Sequence, residues 1–264
     1  MIAFITDFSD RDPFAGIMKG VVAKVNPDLK TIDISHGLES FNIAQTKFVL
    51  KNCFGYFPKR TVFCVVVDPG VGSSRKPIAV KTADYYFVGP DNGIFGPVFD
   101  AYPDFEVREI TNPIIMNENI SNTFHGRDIF APASAHLANG FKFEQVGDIC
   151  EDFLFSGEVK AEKNIHGIKG QIEYIDSFGN AISNISKDLI ERPYECTYKV
   201  GDKKAIFVGF YSEGEKNKLS CLISSGERLE FFTINSSSSK MFNIKIGDEV
   251  LVSFDEPSKH GPDQ

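Results

Sequence analysis

The sequence has no apolar run long enough to cross a bilayer, so no membrane-spanning helix is expected. It also lacks an excess of positive charge. With 28 Lys and Arg against 36 Asp and Glu, the formal charge of −8 has the wrong sign for a nucleic-acid or polyanion partner and suits a cationic ligand. Its five cysteines (Cys53, Cys64, Cys150, Cys196 and Cys221) are odd in number, and none stands in C-x-x-C spacing. Neither a disulfide framework nor a structural zinc site is therefore expected, and a reducing cytoplasm is the expected compartment. No two histidines show ligand spacing, so no metal site is expected. The opening MIAFITDFSD lacks a positive n-region and reaches an acid at Asp7, which reads as a first strand rather than a signal peptide.

What is present is an ordinary globular composition. At 264 residues, 42% hydrophobic and 24% charged, the chain can form one large domain or two modest ones around a real core. The first half alternates two kinds of segment. IAFIT, TIDIS, TVFCVVV and YYFVG read as strands, and TVFCVVV, β-branched on both faces, reads as one buried between helical layers. FAGIMKGVVAKV, stopped by Asn26-Pro27, NIAQTKFVLKNCFGYF, stopped by Pro58, and IFAPASAHLANG, closed by Gly140, read as helices. This alternation predicts an α/β domain with a mostly parallel sheet covered on both faces. Ligands of such sheets bind outside the carboxyl ends of the strands, where Asp7, His36, Asp68 and the Gly89 turn fall.

The second half changes character after the polar KAEKNIHGIKG. Short strands and tight turns follow in QIEYIDSFGNAISNI, AIFVGFYSEGEKNKLSCLISSG, RLEFFTI and DEVLVSF, with no long helix. The pattern predicts a small antiparallel barrel or sandwich of roughly 100 residues. The expected division is an α/β domain over 1–158 and a C-terminal β domain over 168–264. NSSSSK at 235–240 reads only as a short low-complexity patch.

Three constellations can carry chemistry. VVVDPGVGSSRKP, residues 65–77, stops an apolar run at Asp68, turns through glycines and serines, and reaches Arg75. It is not a phosphate loop, because it lacks the Lys-Ser/Thr pair and the third glycine of a dinucleotide fingerprint. Asp68 and Arg75 read either as a surface ion pair bracing the loop or as a functional pair. NTFHGRDIFAP sets His125, Arg127 and Asp128 before a predicted helix, with Asp128 as its N-cap in the simpler reading. His136 lies inside that helix and is expected to be packed. IDSFGNAISNI sets Asp176, Phe178 and Asn180 in an ordinary turn composition between two strands.

Taken together, ITDFSDRDPFAGIMKGV, VVVDPGVGSSRKPIAV, VGPDNGIFGPV, TFHGRDIFAPASAHLANG, IDSFGNAISNI and SSGERLE resemble one family, in its order and over nearly the whole chain. Any one of these segments is weak, but six in sequence are specific. The family is the adenosine-forming S-adenosyl-L-methionine hydrolases, or SAM hydroxide adenosyltransferases, relatives of fluorinase and chlorinase. The resemblance implies an N-terminal α/β domain and a C-terminal antiparallel β-barrel. It implies hydrolysis of S-adenosyl-L-methionine to adenosine and L-methionine by water attacking C5′, with no cofactor or metal.

It also implies a catalytic set of Asp68, Arg75 and His125, which the halogenating relatives lack. Asp7 is expected to hold the ribose hydroxyls. Asn180, Ser225, Glu230 and the backbone near Thr233 are expected to line the adenosine pocket, Asp176 to face the methionine end, and Phe178 to belong to the same substrate-binding set. SSGERLEFFTIN is one residue longer than the family pattern. Family members form trimers, with each site shared between neighbouring subunits. Two other readings stay open: a halide-using adenosyltransferase, and a non-catalytic S-adenosylmethionine or adenosine sensor on the same scaffold.

Overall fold

The computed structural model describes residues 1–254. They divide into two compact units, the first Met1–Glu158 and the second beginning at Val159.

The first unit is built on strands β1 (Ile2–Thr6), β2 (Thr31–Ser35), β3 (Val62–Val66), β4 (Pro77–Lys81), β5 (Tyr86–Pro90) and β6 (Glu106–Glu109). They form one sheet in the order β2-β1-β3-β5-β4-β6. The pairs β1–β2, β1–β3 and β3–β5 are parallel, and β4 runs antiparallel to both its neighbours. The mostly parallel sheet follows the strand–helix alternation. β4 and β6 were not visible in that pattern: β4 follows a loop with no intervening helix, and β6 carries one buried residue, Val107, among charges.

Side chains alternate between two cores, as the two-residue period of a strand requires. Ile2, Phe4, Val62, Cys64 and Val66 pack on one face with Met18 and Val22 of α1 (Phe14–Val25). Ala3, Ile5, Phe63, Val65 and Val67 pack on the other, with Leu50 of α2 (Ile43–Cys53) and Val98 and Phe99 of α3 (Gly96–Ala101). α1 stops where the sequence says it must. Asn26, ahead of Pro27, is extended at φ −157°, because the proline ring disfavours the helical region at the preceding residue. α2 starts at Asn42, whose side chain accepts the Gln45 N–H at 2.9 Å. α4 (Ala131–Ala138) lies on the first face and is entered through one π-helical turn, Gly126–Phe130.

The second unit contains β7 (Glu162–Asn164), β8 (Gly167–Ile175), β9 (Ala181–Ser186), β10 (Cys196–Val200), β11 (Lys203–Phe207), β12 (Ser220–Ile223), β13 (Arg228–Phe232) and β14 (Glu249–Phe254), with a one-turn α5 (Ser238–Met241). The order β14-β10-β11-β12-β13-β9-β8, together with the pairing of β14 to β8, closes a barrel, and β7 extends the edge of β8. Its interior holds Ile172, Ile185, Tyr198, Cys221, Phe231 and Val252. One pair departs from the expected antiparallel pattern. β11 and β12 are parallel, because the chain crosses over through residues 208–219 instead of turning back. A connection of about a dozen residues is what a parallel pair requires.

Candidate active site

β3 delivers the first functional group. Its strand is buried on both faces, and Asp68 is the first charged side chain beyond it. The Val67 carbonyl accepts from Asn92 Nδ2 at 2.9 Å, so the turn after β5 braces the exit of β3. The next loop is tied by Val71 N–H to the Asp68 carbonyl at 3.3 Å and Ser73 N–H to the Gly70 carbonyl at 3.0 Å. Gly72 has φ +76°, and a Cβ there would run into the Asn122 carbonyl oxygen. Only glycine lets this loop lie against the segment that carries His125.

The loop returns Arg75 onto Asp68. Arg75 Nε donates to Oδ1 at 2.9 Å and to Oδ2 at 3.1 Å, and Nη2 also donates to Oδ2. The side chains are 9% and 6% exposed, so this is a largely enclosed pair rather than a solvated surface brace. Nη2 also lies 2.8 Å from His125 Nδ1. A guanidinium has only donors, so Nδ1 accepts, and the proton of a neutral His125 resides on Nε2. Burial lowers the His125 pKa from its ordinary value, and the Arg75 charge lowers it further against smaller opposing effects of Asp68 and Asp128. Arg75 Nη1 is buried and has no hydrogen-bond partner among the described residues.

His125 stands at the entrance of the π-helical turn. Asp128 lies inside that turn and does not cap α4. It is buried and accepts from Ser121 N–H at 2.9 Å, Asn117 Nδ2 at 3.0 Å and Arg127 Nε at 2.7 Å, tying the 117–121 loop to the turn. His36 braces the sheet, with Nδ1 2.8 Å from Thr6 Oγ1. His136 is half-buried, its ring edge-on to Phe141.

Asp7, Asp68 and His125 share a cavity of about 270 Å³ at the carboxyl end of the sheet, with Arg75 behind them. Asp7 follows β1, and its Oδ2 accepts the Phe41 N–H at 2.9 Å. Phe8, Phe14, Phe41 and Phe124 supply apolar wall, the rings of Phe8, Phe14 and Phe124 meeting edge to face at 5.2–5.8 Å. Asp12, Ser40 and Thr123 complete the polar lining. Sequence reasoning missed these apolar and polar wall residues, which lie in loops and at the start of α1 and carry no periodic signature.

The second unit has its own open cavity of about 850 Å³, lined by Asp176, Phe178, Asn180, Tyr211, Ser212 and residues 232–237. The Asp176 carboxylate shapes its own turn, Oδ1 accepting from the N–H groups of Phe178 at 2.9 Å and Asn180 at 2.8 Å. Gly179 has φ +86° and presses on Ser237, while Ser238 Oγ donates to the carbonyls of Gly179 at 2.8 Å and Phe231 at 3.0 Å. The serine run that read as low complexity is thus the cap of α5, with Ser237 accepting from Lys240 N–H, and it pins the Asp176 turn. Phe178 is exposed, and Thr233 is buried in the lining. Glu230 is buried behind Tyr211, whose hydroxyl donates to Oε1 at 2.6 Å, and burial raises its carboxyl above the usual range. Ser225 is exposed in the β12–β13 turn and does not line the cavity. Tyr211 and Ser212 escaped sequence reasoning, although the long connection carrying them was a signal, since such loops often serve function.

The comparisons with known proteins cover both units. The family model described as the SAM hydroxide adenosyltransferase N-terminal domain matches residues 2–147, and that of the C-terminal domain matches residues 170–251. The chain is 36% identical to an (R)-S-adenosyl-L-methionine hydrolase of Methanocaldococcus jannaschii, over 96% of this chain and 95% of that one. It is 26% identical to a fluorinase of Nocardia brasiliensis, over 73% of each chain. A crystal structure of an uncharacterized conserved protein from Thermotoga maritima superposes with a TM-score of 0.90 at 37% identity, covering 96% of this chain and 100% of that one.

Proposed function

This chain belongs to the SAM hydroxide adenosyltransferase family, and we propose that it hydrolyses S-adenosyl-L-methionine to adenosine and L-methionine. The observation that carries this reading is the enclosed Asp68–Arg75–His125 set beside a strand-end cavity. The sulfonium is already a good leaving group, so the reaction needs no metal or redox cofactor. What it needs is one water held about 3–3.5 Å from C5′, opposite the sulfur.

The roles follow from the donors and acceptors. Arg75 fixes the Asp68 carboxylate through Nε and Nη2. His125, with Nδ1 engaged by Arg75, presents an N–H at Nε2 and orients the water as a donor. Asp68 is the acceptor of the set. The O–C5′ bond forms as the C5′–S bond breaks, and the bonding pair leaves on sulfur and neutralises it. The entering water becomes a protonated alcohol, which gives its proton to Asp68 and then to solvent. By the family resemblance, Asp7 takes the ribose hydroxyls, Asp176 the methionine end, and Asn180, Glu230 and the backbone near Thr233 the adenosine side, with Phe178 in the same substrate-binding set. Neither Ser225 nor Glu230 lines the second cavity itself; Glu230 reaches it through Tyr211.

The assembly in this reading rests on the family resemblance. The working unit is a trimer, in which the first-unit cavity of one subunit and the second-unit cavity of the next enclose one substrate. Unlike surfaces meeting around a ring close it naturally. Among the described residues no helix is long and apolar enough to cross a membrane. All five cysteines are free, which supports a cytoplasmic site of action.

The test is product analysis after incubation with S-adenosylmethionine and chloride in water enriched in heavy oxygen. Adenosine labelled at its 5′-oxygen is the expected product. A 5′-halogenated nucleoside would assign halide transfer instead. Binding without turnover would make the chain a sensor, and unlabelled adenosine would exclude direct attack by solvent water.

A further inference from the structure

The 208–219 crossover that makes the parallel β11–β12 pair also covers part of the barrel. Val208, Leu222 and Phe232 form a small buried cluster, with Ile234 against it. Gly214 lies so close to Phe232 that a Cβ there would stand 2.8 Å from the ring. Glu213 anchors the start of the crossover by accepting the Gly209 N–H at 2.8 Å. Glu230 is 4% exposed, yet keeps a carboxylate oxygen 2.6 Å from the Tyr211 hydroxyl. Tyr211 stands edge-on to Phe232, with centroids 4.9 Å apart, and lines the second cavity. Thr233 lines the same cavity, and its buried hydroxyl has no partner among the described residues. That orphaned group marks this wall as one a polar ligand completes.

A phenol has one proton. With that proton given to Glu230, the Tyr211 oxygen can offer a ligand only lone pairs. We propose that Glu230 and Tyr211 form a relay that fixes this wall as a hydrogen-bond acceptor, and so selects a nucleoside base bearing an amino group over one bearing an oxo group at the same ring position. Tyr211 is the specificity-determining residue. Glu230 is a positioning residue that acts through it. The inference rests on the proposal that the cavity receives a nucleoside. An oxo group facing the phenol oxygen would set acceptor against acceptor and leave both unpaired, the kind of mismatch that discriminates strongly between isosteric ligands.

The test is titration calorimetry of the full-length protein with adenosine and with inosine, alongside turnover of S-adenosylmethionine. The wild type should prefer adenosine by on the order of 10²-fold. Tyr211→Phe keeps the ring against Phe232 but removes the oxygen, and should shrink that preference at least ~10-fold. Glu230→Gln retains a carbonyl to accept the phenol proton and should keep most of the preference. Glu230→Leu frees the phenol to donate and should move the preference toward inosine. Thermal melts check that each variant folds, and if Glu230→Leu does not, the Tyr211→Phe and Glu230→Gln pair still decides. An unchanged preference in folded Tyr211→Phe, or its complete loss in Glu230→Gln, overturns the relay. A wild type that hydrolyses S-adenosylmethionine but does not prefer adenosine overturns the relay alone. One that neither turns over S-adenosylmethionine nor binds either nucleoside overturns the functional reading as well.

Discussion

The two units build their cavities by opposite means. In the first, a strand buried on both faces ends in Asp68, and the carboxylate, guanidinium and imidazole are paired with one another inside the protein, although Arg75 Nη1 has no partner among the described residues. In the second, the lining comes from turns and a crossover around a barrel: Thr233, on the lining, has a hydroxyl with no partner among the described residues, and Glu230 is a buried carboxyl that the Tyr211 hydroxyl meets at 2.6 Å and that the Ser224 and Asn180 side chains also engage. A set that must orient water gains from being rigid and satisfied in advance. A surface that must recognise a ligand gains from groups the ligand itself completes. On the proposed function, chemistry belongs to the first unit and recognition to the second.

The hardest test of that division is Asp68→Ala. It removes the acceptor of the proposed catalytic set and leaves the second cavity untouched. Turnover should fall by ~10² or more, the usual scale for a positioned acid–base group, while calorimetry should find adenosine affinity within a few-fold of wild type. Arg75→Lys should cost somewhat less, because an ammonium cannot reproduce the fork that Nε and Nη2 make on the carboxylate. Near-normal kcat in Asp68→Ala would reduce the loop to a brace, and chemistry would have to be sought elsewhere.

If the two cavities meet only between subunits, chains defective in different units should rescue each other. Asp68→Ala and Asn180→Ala, each inactive alone, are mixed under conditions that allow exchange. A site is whole when it takes its first unit from the Asn180 variant and its second from the Asp68 variant. Random assembly at equal ratio makes about a quarter of sites whole, so activity should rise to about a quarter of wild type. Mixed trimers seen by mass spectrometry but without activity would mean that each chain closes its own site.

The same contrast explains what the sequence made legible. IAFIT and TVFCVVV were readable because buried parallel strands are written as local apolar runs, and Asp7 and Asp68 were findable because they stop those runs; TIDIS, the partly exposed edge strand, was readable from its alternation. The barrel's strands were readable in outline, but β10 (CTYKV) and the parallel β11–β12 pair were not. Strand direction depends on where a loop crosses, which no residue period records. Tyr211 and the 234–237 backbone meet Asp176 only through closure of the barrel, so no spacing announces them. The resemblance supplied Asn180, Glu230 and Thr233, but it did not supply the tyrosine that holds Glu230.

Two glycines offer a gentler and more symmetrical probe. Gly72 and Gly179 both have positive φ and both press on a neighbouring segment, Asn122 in the first unit and Ser237 in the second. Alanine at either should cost ~1–3 kcal/mol of stability through backbone strain, read as a lower melting midpoint. Their kinetic signatures should differ. Gly72→Ala disturbs the Asp68–Arg75 loop where it meets the His125 segment and should lower kcat. Gly179→Ala loosens the Asp176 turn and should raise KM. Identical signatures would deny the division of labour between the units.

The smallest effect is the pH dependence of turnover, which follows from the His125 ring. Burial first, and then the Arg75 charge, lower its pKa below the ordinary histidine value, while Asp68 and Asp128 pull weakly the other way. The ring is therefore neutral through physiological pH and accepts the Arg75 N–H at Nδ1. Protonation would put two donors face to face and push the ring away from the water it is proposed to orient. kcat should be level at neutral pH and fall as pH drops through the lowered pKa, below about 6.5. Stability carries the same sign. In that window the unfolded chain binds the proton more readily than the folded one, so the ring's contribution is fully present above the unfolded value and is lost progressively as pH falls through the folded value. Glu230 differs in kind, since burial raises its pKa and its protonation belongs to recognition. Its titration should appear in KM and leave kcat level. His125→Gln can still accept from Arg75 but does not titrate, so it should abolish the acid limb of kcat while keeping that of KM. An acid limb of kcat that persists unchanged in His125→Gln would mean that the titrating group lies outside the Asp68–Arg75–His125 set.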